Sequence, residues 1–196
     1  MFLSRLGTLM VLVGTLFAAP AAADPDEIID ALLTCKPDFF EVLKTEKSAF
    51  MPALLTQRLI PVAEFVESMA SVATFQQAIM ARGLRVEVYL QTVISGASAG
   101  SGDMRTHIWG VLVPDEPQEV IKSLEANVPG AKFEPLADGW MMSPENWERP
   151  DPWSLLLIRR YQDKYGMGSS IWCFAETAAL KPMQGLPSVE DLLWKY

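Results

Sequence analysis

The alternation of hydrophobic and polar residues is strictest along residues 84–95, and the rest of the chain is organised around this stretch. Strict alternation is typical of a half-buried strand whose two faces meet different surroundings. The apolar set is Leu84, Val86, Val88 and Leu90, and the polar set is Arg85, Glu87, Tyr89 and Gln91. A loop rich in Gly, Ser and Ala follows at 96–102, and β-branched and aromatic residues predict a second strand over 105–113. We therefore predict a hairpin at the centre of the fold.

Helical spacing predicts three helices before this hairpin. Asp24 can cap the first helix, with Pro25 at its first position, and Pro37 opens the second. Apolar residues at helical spacing predict a third helix over 61–81. A strand over 70–79 is the alternative, because Val and Thr residues lower helix propensity.

Helices and strands alternate after the hairpin. The predicted elements are a helix from Asp115 to Pro129, two short strands around an Asp138-Gly139 turn, a helix over 152–165, a strand over 169–176 and a short helix opened by Ser188. A buried strand at 155–158 is the alternative to the helix over 152–165. The elements together predict an α+β fold, with a largely antiparallel, twisted sheet of about five strands and helices on one face.

Residues 1–23 have the pattern of a secretory signal peptide. Arg5 precedes an apolar run over 9–17, and Ala21, Ala22 and Ala23 end the segment before Asp24. The run is too short to span a bilayer. We therefore expect a periplasmic or secreted protein whose residues 24–196 form a single globular domain, with no membrane association after the signal is removed.

The charge of the chain limits its partners. It has 16 basic and 24 acidic residues, a net charge of −8. A nucleic-acid-binding protein needs a basic surface, so nucleic acid is not an expected partner. A net negative charge is compatible with a basic protein partner, although such a charge can also serve only to keep a protein soluble.

Cys35 and Cys173 are the two cysteines of the chain. An even number of cysteines in an exported protein indicates a disulfide, which would connect the first helix to a late strand. Two buried thiols are the alternative.

Candidate catalytic chemistry is sparse. Gly96-Ala97-Ser98-Ala99-Gly100 matches the G-x-S-x-G motif of serine hydrolases, but a strand rather than a helix is predicted after it. His107, the single histidine, could act with Ser98, yet no acid partner is identified. The sequence has no spaced metal-ligand set, phosphate loop or dinucleotide motif, so we expect no metal and no cofactor.

Residues 138–153 have the most unusual composition, with tryptophans among prolines and acids. Trp and Arg concentrate binding energy at protein interfaces, while proline limits the cost of ordering. The predicted partner-binding residues are Trp140, Met141, Trp147, Arg149 and Trp153. The alternative interpretation is a small core beneath a long loop.

These features favour an exported, non-catalytic protein that binds another protein. Small disulfide-linked proteins with these features in bacterial periplasms include inhibitors and toxin-immunity proteins. This is an analogy, because no sequence motif connects the chain with them. The alternatives are a serine hydrolase using Ser98 and His107, and a carrier of a small apolar ligand in a cavity between helices and sheet.

Overall fold

A computed structural model describes residues 24–45, 52–60, 68–96, 104–142, 154–163, 166–180 and 186–193. These residues form an α+β fold with one eight-stranded antiparallel sheet. The helices are α1 (Pro25–Thr34), α2 (Asp38–Thr45), α3 (Pro117–Asn127) and α4 (Val189–Leu193), with a 3-10 helix at Thr177–Leu180. The strands are β1 (Pro52–Ile60), β2 (Ser68–Ala81), β3 (Leu84–Gly96), β4 (Met104–Val113), β5 (Phe133–Leu136), β6 (Gly139–Met142), β7 (Ser154–Asp163) and β8 (Gly166–Glu176).

Two consecutive four-stranded meanders make up the sheet. The spatial order is β1-β2-β3-β4-β8-β7-β6-β5, so the first meander joins the second through β4 and β8. The predicted central hairpin is confirmed as β3 and β4, paired from Val88↔Leu112 to Gly96↔Met104. The predicted number of about five strands is wrong: two segments predicted as helical are strands, and β1 lies in a stretch for which the sequence pattern is ambiguous.

The helices cover one face of the sheet, here called the helical face. Buried side chains of α1, α2, α3 and α4 form one core with those of the sheet, including Phe39, Phe40, Tyr89 and Trp109. Two predicted helix starts are confirmed by their caps. Asp26 N donates to Asp24 Oδ1 at 3.0 Å, and Asp191 N donates to Ser188 Oγ at 3.0 Å.

The opposite face has a core of its own, to which none of the described helices contributes. Its buried residues are Ala70, Val72, Val88, Leu90, Ile108, Leu112 and Trp172. Arg58 of β1 and Tyr161 of β7 contact each other across this face, although four strands lie between β1 and β7. Neighbouring strands are about 4.8 Å apart, so a flat sheet would keep these side chains far from each other. The sheet therefore curls around this second core, and we call its inner side the concave face.

Two predicted helices are strands in the structure. Ser68–Ala81 is β2, which confirms the alternative for the 61–81 segment, and 61–67 lie outside the described residues. Ser154–Asp163 is β7 instead of the helix predicted over 152–165, which confirms the alternative of a strand at 155–158. Both strands lie inside the sheet with a hydrogen-bonded neighbour on each side. A strand that is buried on both faces has apolar residues at many positions, and their spacing can resemble that of a helix. Pairing with distant strands then decides whether the segment is a helix or a strand.

Three finer predictions are corrected. The helix predicted from Asp115 begins at Pro117, with Glu116 at the cap position and no side-chain cap. The β5–β6 hairpin is confirmed, but its turn residues are 137–138, and Gly139 pairs with Leu136 inside the ladder. The predicted apolar set of β3 does not lie on one face: Leu84 and Val86 lie in the helical-face core, whereas Val88 and Leu90 lie in the concave-face core. The change of face falls between Val86 and Val88, where the pairing with β2 has a register shift.

The predicted disulfide is confirmed. Cys35 follows α1 in a left-handed conformation, and its sulfur is bonded to Cys173 of β8. Ile171, Cys173 and Ala175 all face the helical side, as the pairing requires. The bond joins residues 138 apart in sequence, so it fixes the first helical segment to the centre of the sheet.

Candidate functional site

Two cavities open on the concave face, and together we call them the concave groove. The β5–β8 cavity has a volume of about 650 Å³, and the β1–β3 cavity has a volume of about 580 Å³. Cavities of this size are typical of ligand sites. The sequence pattern gave no direct signal for either cavity.

Aromatic side chains form much of the wall of the β5–β8 cavity. Its aromatic residues on the concave side are Tyr161, Trp172 and Phe174, with Leu136 at the hairpin end. Trp140 also borders the cavity, but its side chain packs against the helical-face core. Trp172 is buried, and its ring centroid lies 6.5 Å from that of Phe174. The cavity therefore offers a rigid apolar surface that costs little conformational entropy to use.

The Arg58–Tyr161 contact joins the walls of the two cavities. Arg58 lines the β1–β3 cavity and Tyr161 lines the β5–β8 cavity. The Arg58 guanidinium donates to the Tyr161 hydroxyl, and its carbon lies 5.5 Å from the centroid of the Tyr161 ring. Cation–π attraction favours this arrangement in a partly buried site. The contact also holds the curl of the sheet, because it connects the first strand with the sixth in spatial order.

Positive charge predominates among the residues that line the groove. The positively charged lining residues are Arg58, Arg85, Arg159 and Arg160, and the negatively charged ones are Glu87 and Asp138. Arg159 pairs with Asp138, Arg85 pairs with Glu87, and Arg160 bonds Glu116 at 2.7 Å. The chain as a whole has the opposite balance, with a net charge of −8.

The predicted partner-binding residues are only partly described. Trp140 is half-buried and lines the β5–β8 cavity, and Met141 is buried beside it on β6. Trp147, Arg149 and Trp153 lie outside the described residues. The role of all five residues in binding remains a prediction.

His107, the candidate partner of Ser98, lies in the core. It is 4 % exposed, and its Nε2 lies 2.9 Å from Thr177 Oγ1. Burial, followed by the charge of Arg105, lowers the pKa of His107. Trp109, on the same face, is fully buried against Phe40. Ser98 and Asp103 lie outside the described residues, so the proposed Ser98–His107 pair has no described geometry.

Among the described residues, the helices pack closely against the sheet. A cavity lined by Ile28, Phe39, Phe75 and Tyr89 has a volume of about 10 Å³, which is too small for a ligand. Burial raises the pKa of Tyr89 well above its usual value. The Tyr89 hydroxyl donates to Gln91 Oε1 at 2.7 Å, and Gln91 Nε2 donates to the Pro187 carbonyl at 2.8 Å. Both cavities of the concave groove lie on the face opposite to the one predicted for a ligand carrier.

Two kinds of site are absent from the part of the chain that the structure describes. It holds no group of three or more His, Cys, Asp or Glu side chains placed to bind a metal ion. Within the same residues, no helix has the length and apolar character needed to cross a membrane.

Comparison with known proteins gives no relative. No family model, no curated protein and no solved structure matches the chain.

The sequence predictions missed Arg58, Tyr161, Trp172 and Phe174. One signal could have indicated the last two, because Ile171-Trp172-Cys173-Phe174 is a continuous apolar run. Such a run is typical of a strand buried on both faces, which implies a second core. No local signal could place Arg58 beside Tyr161, since they are 103 residues apart.

Proposed function

We propose that this chain is an exported, non-catalytic protein that binds another protein through the concave groove. The observation that supports the proposal most is the composition of the groove wall. Tyr161, Trp172 and Phe174 line one cavity with Arg159, and Trp, Tyr and Arg are the residues most enriched at the energetic centres of protein interfaces.

The position of the groove also supports the proposal. It lies on the face to whose core none of the described helices contributes. Leu136 is 43 % exposed at the end of the β5–β6 hairpin, next to the aromatic wall. An exposed apolar side chain beside buried aromatic residues is the usual arrangement at the margin of a binding surface.

Partner capture from an exported-protein fraction tests the proposal. Leu136→Glu places a charge at the groove without opening the core, so it should abolish capture of partners retained by the wild type. Met167→Glu is the matched control, because Met167 is 65 % exposed and does not line the groove. Both variants should keep the wild-type unfolding midpoint. A partner retained equally by the wild type and Leu136→Glu, or the absence of any specific partner, would contradict the proposal.

A further inference from the structure

We propose that two copies of this chain associate through β1, with their β1 strands side by side and antiparallel about a two-fold axis at Gln57. This inference goes beyond the protein-binding function proposed above and does not depend on the concave groove. Three features carry it: β1 is a long end strand of the described sheet, its apolar and polar residues follow a symmetric pattern, and it contains no acidic residue.

The two ends of the described sheet differ in how well they are protected against pairing with another strand. β1 and β5 are the end strands, so each has a strand neighbour on one side only within the described sheet. Short strands and prolines are common protection for such an edge. β5 has four residues, and one of them is Pro135, which has no N–H group to donate. β1 has nine residues, and its one proline is Pro52 at the first position, so β1 lacks the protection that β5 has.

Most of β1 is regular, and part of it is accessible. Its pairing with β2 has a register shift between Pro52 and Leu54, and the pairing is continuous from Leu54 to Ile60. Leu54 is 55 % exposed, and Gln57 is exposed as well. A regular end strand with exposed apolar side chains is a template for pairing with another chain.

The residue pattern of this regular segment favours a second copy as the other chain. Residues 54–60 read Leu-Leu-Thr-Gln-Arg-Leu-Ile, so two apolar residues lie on each side of three polar ones, and Gln57 is the middle residue. Residues directly opposite each other on antiparallel strands share one face of the sheet and interact. Antiparallel pairing about Gln57 therefore sets apolar residues opposite apolar ones and polar residues opposite polar ones. The opposed residues of the two copies are Leu54 and Ile60, Leu55 and Leu59, Thr56 and Arg58, and Gln57 with itself.

The charge along β1 also favours association of two copies at this edge. The chain has a net charge of −8, so two copies repel each other wherever their acidic residues come close. β1 contains no acidic residue, and Arg58 is its one charged residue. The Arg58 guanidinium contacts Tyr161 across the concave face of its own chain, which directs this charge away from the edge. Two acidic chains can therefore meet along β1 with little electrostatic repulsion.

Sedimentation equilibrium of the purified protein tests this inference, and the wild type should be a dimer. Gln57→Glu and Gln57→Lys should each weaken the dimer at least about tenfold, because each variant sets two like charges opposite each other at the two-fold axis. An equimolar mixture of the two variants should recover most of the wild-type affinity, because Glu of one copy then lies opposite Lys of the other. Recovery in the mixture also shows that both variants are folded.

Gln77→Glu and Gln77→Lys are the matched controls. Gln77 is also an exposed glutamine, and it lies on β2 outside the residues that pair with β1. Both control variants should leave the affinity of the dimer unchanged. All four variants should keep the circular dichroism spectrum of the wild type.

Four outcomes overturn the inference. These are a monomeric wild type, unchanged affinity in both Gln57 variants, a mixture of these variants that stays monomeric, and equal weakening by the Gln57 and Gln77 variants. None of them decides whether the concave groove captures a partner, because Leu136 lies on β5, at the other end of the strand order. The association of two copies and the proposed protein-binding function can therefore fail separately.

Discussion

At the scale of single residues, His107 shows how burial decides the chemistry of a titratable group. The sequence makes it a candidate to act with Ser98. In the structure His107 is a buried residue of β4, and its ring forms a hydrogen bond with Thr177 of the 3-10 helix. Because burial disfavours the imidazolium, the pKa of His107 is lowered and the folded protein holds the ring neutral.

This burial predicts a pH-dependent stability. A histidine in the unfolded chain has a pKa of about 6.5, so below that pH the unfolded state binds a proton that the folded state does not. The free energy of unfolding should therefore fall as the pH is lowered from 7.5 to 5, and part of this fall should be lost in His107→Gln. Urea unfolding of both proteins at the two pH values measures the difference. An identical pH dependence would show that His107 does not contribute.

At the scale of elements, β4 and β8 form the seam between the two meanders, and a glycine lets them approach closely. A Cβ added at Gly110 would lie 2.0 Å from the carbonyl oxygen of Ile171. Backbone atoms cannot move aside as the end of a flexible side chain can. The seam therefore depends on the absence of a side chain at this one position.

Gly110→Ala should destabilise the fold by roughly 1–3 kcal/mol, the usual cost of overpacking a core. Denaturant unfolding measures this change. Ser95→Ala is a suitable control, because Ser95 is exposed on β3. Equal unfolding midpoints for Gly110→Ala and the wild type would mean that the two strands can separate without cost.

At the scale of the whole molecule, one covalent bond connects the helical layer to the sheet. Cys35 follows α1 and Cys173 lies in β8, at the centre of the strand order. Arg82, in the β2–β3 turn, adds a polar connection, since its backbone N donates to Asp26 Oδ1 at 2.6 Å and its Nε donates to Asp30 Oδ1 at 2.7 Å. The hydrogen bond that Arg82 donates to the Asp30 carboxylate raises the pKa of Arg82. Helix α1 is thus held at both ends.

Replacing both cysteines by alanine should lower the free energy of unfolding by about 2–5 kcal/mol, because the bond closes a long loop in the unfolded chain. Urea unfolding of this double variant and of the wild type, each with and without reductant, measures the effect. Reductant should destabilise the wild type and leave the variant unchanged. A wild type that is insensitive to reductant after full reduction would contradict this account.

The sequence by itself determined the features that depend on neighbouring residues or on simple counting. Asp24 and Ser188 cap helices, because a capping side chain acts over two or three residues. The central hairpin of β3 and β4 follows from alternation and from a loop of small residues. The disulfide follows from two cysteines in a chain with an export signal pattern.

Only the tertiary structure decided which segments are strands and where the groove lies. Local periodicity cannot distinguish a helix from a strand buried on both faces. The sequence therefore favours helices over 61–81 and 152–165 with strands as the alternatives, and the structure has strands β2 and β7 there. The groove depends on Arg58 meeting Tyr161, a pairing set by the curl of the whole sheet. That curl arises because both faces of one sheet bury apolar side chains, while the described helices cover a single face.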